Sequence, residues 1–162
     1  MADSDMVRVG IVDDDPYVRS SLSDLLRRQP DLVIEFLAAD GAQAIAETRR
    51  TTPNVVLMDI RMPGMDGIAA TTRIRSEHPA LKVLLTTSLD FAGDLPAAIG
   101  AGASGMILKT SPLKVLADQI RAVHHGAAVW TAEPFRRWTS QQHPAVMAST
   151  NTEVLTGPPH GS

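Results

Sequence analysis

The sequence predicts an α/β fold in which five parallel strands form a sheet and five alternating helices cover both of its faces, a doubly wound arrangement. Two observations predict it. Short apolar runs alternate along the chain with segments whose apolar residues recur at helical spacing, and acidic residues follow the first and third runs directly. The predicted strands cover residues 7–12, 32–37, 55–58, 82–86 and 104–108.

The helices are predicted from their start signals. Aspartate or serine before an apolar periodic segment is typical of an N-cap, and proline suits the first helical position. The fourth helix should be weak, because it has proline in its first turn and ends among glycines, each of which costs about 1 kcal/mol in a helix interior. The five helices are predicted to begin at or near Asp15-Pro16, Asp40-Gly41, Asp66-Gly67, Gly93-Asp94 and Ser111-Pro112.

Composition limits the classes of function. The chain has 162 residues, is 44% hydrophobic and 20% charged, and has a formal net charge of −3, which favours one soluble domain without a large basic surface for nucleic acid. It contains no cysteine, which excludes disulfides, thiol catalysis and cysteine zinc sites. The acidic N-terminus lacks the apolar segment of a secretory signal, and no run reaches the roughly 18 apolar residues of a membrane span. We therefore expect a cytoplasmic protein without a membrane partner.

Two groups of acids carry the functional hypothesis. Asp13, Asp14 and Asp15 follow the first predicted strand, and Asp59 follows the third. Because the carboxyl ends of parallel strands meet at one edge of the sheet, these groups should form one pocket. Carboxylates in such a pocket suit a hard divalent cation. The simpler alternative, that the first group only caps a helix, applies best to Asp15.

Four motifs, each at the end of a predicted strand, give the sequence a resemblance to a known family. The chain resembles the receiver domain of response regulators in bacterial two-component systems, and looks most like the NarL/LuxR type. The resemblance implies a flavodoxin-like receiver fold and covers roughly residues 7–125. The motifs are Val12-Asp13-Asp14-Asp15, Met58-Asp59-Ile60-Arg61-Met62-Pro63-Gly64-Met65-Asp66-Gly67, Leu85-Thr86-Thr87-Ser88 and Gly102-Ala103-Ser104-Gly105-Met106-Ile107-Leu108-Lys109.

The resemblance also implies roles for the acids. Asp59 would be the phosphoacceptor, which takes a phosphoryl group from a histidine kinase. Asp14 and Asp59 would bind Mg²⁺, with Asp13 assisting and the backbone carbonyl of Arg61 as a further ligand. The cation is needed because a carboxylate attacks an anionic phosphoryl group poorly unless the charge is neutralised.

The resemblance assigns phosphoryl-binding and switch residues to the last two motifs. Thr87, rather than its neighbour Thr86, would donate a hydrogen bond to a phosphoryl oxygen, because it stands at the family's usual spacing from Lys109. Ser88 would be the small residue that follows, and Lys109 would contribute a positive charge. Met106 stands where many receivers have an aromatic switch residue.

Met106 and Thr110 depart from the common pattern, since receivers often have an aromatic residue at the first position and proline at the second. These departures leave open a degenerate receiver that acts as a phosphorylation-independent interaction module. A second alternative is a Mg²⁺-dependent aspartyl phosphohydrolase, although such enzymes commonly carry an acid where Arg61 stands. We predict no enzyme activity beyond the domain's own aspartyl phosphorylation and dephosphorylation.

Domain boundaries and partners follow from the same interpretation. Residues 6–126 are predicted to form the receiver, and residues 127–162 a linker or flexible tail that contains no output domain. Only Arg136 and Arg137 supply positive charge beyond His125, too few for a DNA-binding surface. The chain is expected to be either a truncated regulator or a stand-alone receiver with a tail, and we favour truncation. The expected partners are a histidine kinase, a second copy through helix 4, strand 5 and helix 5 or through helices 1 and 5, and DNA only through a C-terminal domain not present here.

Overall fold

A sheet of seven strands forms the centre of the computed structural model, which describes residues 5–88, 92–131 and 154–156. The strands are β1 (Val7–Val12), β2 (Leu32–Ala38), β3 (Val55–Asp59), β4 (Lys82–Thr87), β5 (Gly105–Leu108), β6 (Val129–Thr131) and β7 (Val154–Thr156). The helices are α1 (Pro16–Leu26), α2 (Gly41–Thr51), α3 (Gly67–Glu77), α4 (Leu95–Gly100) and α5 (Leu113–His124). A 3₁₀ turn, Ala92–Asp94, precedes α4.

The strand order is β2-β1-β3-β4-β5-β6-β7. Strands β1 to β6 are parallel, and β7 is antiparallel to β6. The order of the first five strands is that of doubly wound, flavodoxin-like domains. The predicted fold class is therefore confirmed, and each of the five predicted strands agrees with the observed one to within a residue at either end.

The sheet has six parallel strands rather than the predicted five. β6 pairs with β5, and Gly105 lies opposite Val129. The glycine permits this pairing, because a Cβ atom at Gly105 would lie 1.8 Å from the carbonyl oxygen of Val129. Trp130 is fully buried, and the apolar area of an indole stabilises so short a strand. β6 falls within residues 127–162, the predicted linker or tail, most of which lies outside the described residues.

Two hydrophobic clusters cover the two faces of the sheet. One cluster includes residues of α2, α3 and α4, together with Trp130. The other includes residues of α1 and α5. Since both faces are covered, the central strands are apolar without alternation, as β3 shows with four buried apolar residues in succession before the buried Asp59. Within the described ranges, no helix combines the length and hydropathy that crossing a membrane requires.

The helix starts agree with the sequence prediction at three aspartates and differ at α5. The side chains of Asp15, Asp40 and Asp66 accept hydrogen bonds from backbone N–H groups in the first turns of α1, α2 and α3. The N-cap of α5 is Pro112 rather than Ser111, because Pro112 has an extended ψ of 147° and the helix begins one residue later. The fourth helix, predicted to be weak, has only six residues.

Candidate functional site

Three carboxylates meet at the carboxyl edge of the sheet. Asp13 and Asp14 follow β1, Asp59 ends β3, and these two strands are paired so that Val12 lies beside Met58. One carboxylate oxygen from each aspartate lies within 4.8 Å of the other two. Asp13 and Asp59 are buried, with 1% and 4% of their surfaces exposed, whereas Asp14 is exposed. The two acidic groups therefore lie together, as predicted, and Asp14 is the member of the group that faces solvent.

Lys109, the residue after β5, contacts two of these carboxylates. Its Nζ lies 2.6 Å from Oδ2 of Asp13 and 3.1 Å from Oδ2 of Asp59. The backbone N–H of Lys109 donates to the carbonyl oxygen of Thr87 at 2.7 Å, which ties the residue to the end of β4. Three carboxylates against one ammonium group leave uncompensated negative charge at the site when all are ionised.

Backbone and side-chain hydrogen bonds hold Asp13 in place. Its N–H donates to the carbonyl oxygen of Ala38 at 3.1 Å, and its Oδ1 accepts from the N–H of Asp15 at 2.9 Å. Arg19 on α1 donates from Nη1 to the carbonyl oxygen of Asp13 at 2.5 Å. The loop after β1 is thus fixed by the sheet on one side and by α1 on the other. The carboxylate of Asp13 therefore has a defined position before any cation binds.

The environment shifts two ionisations at the site. Burial raises the pKa of Asp59 from 3.8 to about 6; the hydrogen bond from Lys109 opposes this rise and the charge of Asp13 adds to it. Burial by itself would lower the pKa of Lys109, but its hydrogen bonds to Asp13 and Asp59 raise that pKa above 10.5. The lysine therefore stays charged at neutral pH, and Asp59 changes ionisation near pH 6.

The donor set fits a hard divalent cation such as Mg²⁺. All three side chains offer carboxylate oxygens, the ligand type that Mg²⁺ prefers, and one of them is open to solvent, which would allow the cation to keep several waters. The N–H of Arg61 donates to Oδ1 of Asp59 at 3.4 Å, so the backbone of the predicted fourth ligand passes beside the carboxylate. A cation would also favour the ionised form of Asp59.

The other predicted site residues lie at the ends of neighbouring strands or in the core. Thr87 ends β4 with 5% of its surface exposed, and Thr86 lies in register with Asp59. Ser88 follows and is exposed. Met106 is fully buried in the cluster beneath α2, α3 and α4. The phosphoryl-binding and switch roles of Thr87, Ser88 and Met106 stay predictions.

Sequence reasoning missed the contact between Arg61 and Asp94, near the site. The side chain of Arg61 donates from Nη2 to Oδ2 of Asp94 at 2.8 Å, which joins the loop after β3 to the start of α4. Asp94 precedes α4 but makes no side-chain hydrogen bond to that helix. No local pattern indicates such a pair, because its members are 33 residues apart.

Fold and site together define the class: a doubly wound α/β domain with an acidic pocket and a lysine at the carboxyl edge of its sheet. The family model of the response regulator receiver domain matches residues 9–121, and the chain belongs to this family. The resemblance inferred from the four motifs is thereby confirmed. Membership also defines the general role, since receiver domains are the signal-receiving parts of response regulators in two-component systems.

Named relatives support the same assignment. The response regulator protein VraR of Staphylococcus aureus is 37% identical over 127 residues, which are 78% of this chain and 61% of that protein. The chain thus spans less than two thirds of that relative's length. A LuxR-family two-component response regulator from Aurantimonas is similar in structure, with a TM-score of 0.77 and 32% identity over 86% of this chain and 99% of the other. The receiver domain of NarL from Mycobacterium tuberculosis gives a TM-score of 0.72 and 31% identity over 75% and 98%.

Proposed function

We propose that the chain is a phosphorylation-dependent switch that accepts a phosphoryl group on Asp59 from the phosphohistidine of a histidine kinase. One observation supports this above the others. A buried carboxylate, Asp59, ends a central strand with two further carboxylates on one side and the ammonium group of Lys109 at 3.1 Å. Such a cluster suits the binding and stabilisation of a small, highly charged group.

In the proposed reaction a carboxylate oxygen of Asp59 attacks the phosphorus atom. The O–P bond forms as the N–P bond breaks, and the electron pair of that bond returns to the imidazole nitrogen of the donor. Lys109 would offset the charge on the phosphoryl oxygens, and the hydroxyl of Thr87 would donate a hydrogen bond to one of them. The N–H of Arg61, already directed at Asp59, orients the attacking carboxylate.

Mg²⁺ would be bound by Asp14 and Asp59, with Asp13 assisting and the backbone carbonyl of Arg61 contributing. When bound, it would neutralise negative charge shared by the carboxylate and the phosphoryl group. The protein's own residues supply the positive charge of Lys109 beside Asp59. Asp13 is held by a backbone N–H and contacts Lys109, which keeps the lysine close to Asp59.

We further propose a transcriptional output, exerted through a DNA-binding domain outside this sequence. The support is the likeness to a LuxR-family regulator from Aurantimonas and to a LuxR-family DNA-binding response regulator from Staphylococcus aureus, the latter with a TM-score of 0.69 and 27% identity over 74% of this chain. A cytoplasmic location is part of the same proposal.

Of the two dimer surfaces predicted, helices α1 and α5 are favoured. β6 pairs along the outer edge of β5, so the surface formed by α4, β5 and α5 carries an additional strand. The other surface has exposed apolar side chains on both of its helices: Tyr17 of α1 is 80% exposed and Val115 of α5 is 39% exposed.

The two alternatives make different predictions. An aspartyl phosphohydrolase would turn over phosphate esters, but the residue two positions after Asp59 is Arg61, whose side chain is paired with Asp94 and supplies no acid. A degenerate receiver would take no phosphoryl group. We propose that the chain has no turnover activity beyond its own aspartyl phosphate.

The test is incubation with acetyl phosphate and Mg²⁺, followed by intact-mass measurement. We expect addition of one phosphoryl group, its absence in Asp59→Asn, and its loss on chelation of the metal. Asp66→Asn is the matched control, since Asp66 is an aspartate in the same loop that caps α3. An unmodified wild-type protein would favour the degenerate receiver, and steady release of phosphate from assorted esters would favour the hydrolase.

A further inference from the structure

The ion pair between Arg61 and Asp94 connects two parts of the molecule that are separate in sequence. Arg61 lies two residues after Asp59, in the loop after β3, while Asp94 is the last residue before α4. A single hydrogen bond of 2.8 Å joins Nη2 of Arg61 to Oδ2 of Asp94. The arginine side chain is 75% exposed and the aspartate side chain 22% exposed.

A second anionic partner for Arg61 would arise close by if Asp59 were phosphorylated. Its backbone N–H already points at Oδ1 of Asp59, at 3.4 Å. A phosphoryl group on Asp59 would carry close to two negative charges and three acceptor oxygens, against one charge on the carboxylate of Asp94. A guanidinium group binds such oxygens through two parallel N–H donors, a stronger arrangement than the single bond it makes here.

The helix at the other end of the pair is short and has no side-chain cap. α4 has six residues, includes Pro96 in its first turn, and receives no side-chain hydrogen bond from its N-cap residue. The carboxylate that would normally cap it is instead directed to Arg61. A short helix without a side-chain cap should respond to the loss of a contact at its start.

We infer that Arg61 couples phosphorylation to α4: it binds Asp94 in the unmodified domain and leaves it for the phosphoryl group on Asp59. Loss of the pair releases the segment 92–101 from the loop after β3. This inference rests on the proposed phosphorylation of Asp59. Arg61 would thus transmit the phosphorylation of Asp59 to α4. The domain has Met106, a core residue, at the position where many receivers have an aromatic switch residue.

Hydrogen–deuterium exchange of residues 92–101, measured with and without acetyl phosphate and Mg²⁺, tests the inference. In the wild type, phosphorylation should accelerate exchange about two- to five-fold, the range expected for loss of one exposed ion pair. Asp94→Asn and Arg61→Gln should exchange faster by a similar factor before phosphorylation and change little after it. The double variant should match either single variant, because both remove the same contact.

Arg73→Gln is the matched control, since Arg73 is an exposed arginine of α3 that pairs with Glu77 of the same helix. Its exchange should follow the wild type in both states. The inference is overturned if unphosphorylated Asp94→Asn exchanges like the wild type, or if Arg61→Gln responds to phosphorylation fully. Intact mass separates the two proposals: a wild type that takes no phosphoryl group overturns the proposed function and the coupling with it, whereas normal modification with an unaltered α4 response in Arg61→Gln overturns the coupling alone.

Discussion

Lys109 and Asp59 form an ion pair in which Nζ lies 3.1 Å from Oδ2, with only 20% and 5% of the two side chains exposed. The same nitrogen contacts Asp13 at 2.6 Å. One cation therefore compensates two buried carboxylates in the unmodified domain. Both the stability of the domain and the ionisation of its phosphoacceptor should depend on this lysine.

Replacing the lysine, in Lys109→Gln, should destabilise the metal-free domain by about 1–3 kcal/mol at neutral pH, because two buried carboxylates lose their partner. The pKa of Asp59 should also rise further. Urea denaturation with a chelator present measures the stability. Lys114→Gln, at an exposed position of α5, is the control and should change stability little. Equal stability of the two variants would contradict the prediction.

The raised pKa of Asp59, about 6, predicts a pH dependence. The folded metal-free domain binds this proton more tightly than the unfolded chain does. Stability due to this group is therefore largest below pH 3.8 and is lost as the pH rises to about 6. Asp59→Asn should be more stable than the wild type at pH 7.5, by an amount on the order of 1–3 kcal/mol. The difference should shrink at pH 4.5 in paired urea titrations, and an unchanged gap would show that another group is responsible.

The fold and the outline of the site could be predicted from sequence because both depend on local signals. Apolar runs specify the strands, and the rule that the ends of parallel strands share an edge is enough to bring Asp13 and Asp59 together. β6 could not be predicted in this way, because a strand of three residues is too short to show a periodic pattern. Its only sequence signal is the apolar pair Val129-Trp130 after the turn at Gly126.

Pairings between individual side chains of separate loops could not be predicted. The pair of Arg61 and Asp94 depends on the paths of two loops, and neither residue belongs to a pattern that selects the other. Lys109 was predicted to meet a phosphoryl group, but its contact with Asp13 in the unmodified domain depends on side-chain positions that no sequence motif specifies.

Addition of Mg²⁺ should stabilise the domain, since a ligand that binds only the folded state raises stability by mass action. The increase in melting temperature should grow with metal concentration in the wild type and be strongly reduced in Asp14→Asn, which removes the exposed carboxylate of the group. Asp24→Asn, at an exposed position of α1, should respond like the wild type. A response in Asp14→Asn that equals the wild type would place the cation elsewhere.

A second ion pair, distant from the acidic pocket, gives a pH dependence of opposite sign. Arg121 on α5 binds Asp31 through two hydrogen bonds, 2.7 and 2.8 Å long. The hydrogen bond from Arg121 lowers the pKa of Asp31 below 3.8. The contribution of ionised Asp31 to the stability of the fold is present above pH 3.8 and is lost as the pH falls through the lowered pKa. Asp31→Asn should therefore cost about 1 kcal/mol at pH 7 and much less near pH 3.

Urea titrations at the two pH values check this prediction. The matched control is Asp118→Asn, because Asp118 contacts the same arginine at 3.0 Å but its side chain is 58% exposed. We expect the control to change stability by less than Asp31→Asn at pH 7. If both substitutions lower the stability equally, the two hydrogen bonds at Asp31 contribute no more than the exposed contact at Asp118, and the prediction is wrong.

The attachment of β6 depends on a glycine, which allows a direct test of the sixth strand. A Cβ atom at Gly105 would lie 1.8 Å from the carbonyl oxygen of Val129, an approach that must displace one of the two strands. Gly105→Ala should therefore destabilise the domain by about 1–3 kcal/mol. It should also expose Trp130, whose surface is fully buried in the wild type.

Tryptophan fluorescence in a Trp138→Phe background isolates Trp130, the remaining indole of the chain. A red shift of its emission in Gly105→Ala would report the displaced strand. Gly100→Ala is the matched control: the same methyl group meets no atom within 4 Å there and, because Gly100 ends α4, alanine should stabilise the helix slightly. Unshifted emission with full stability in Gly105→Ala would mean that β6 does not pair along β5, and the surface formed by α4, β5 and α5 would again be open to a second copy.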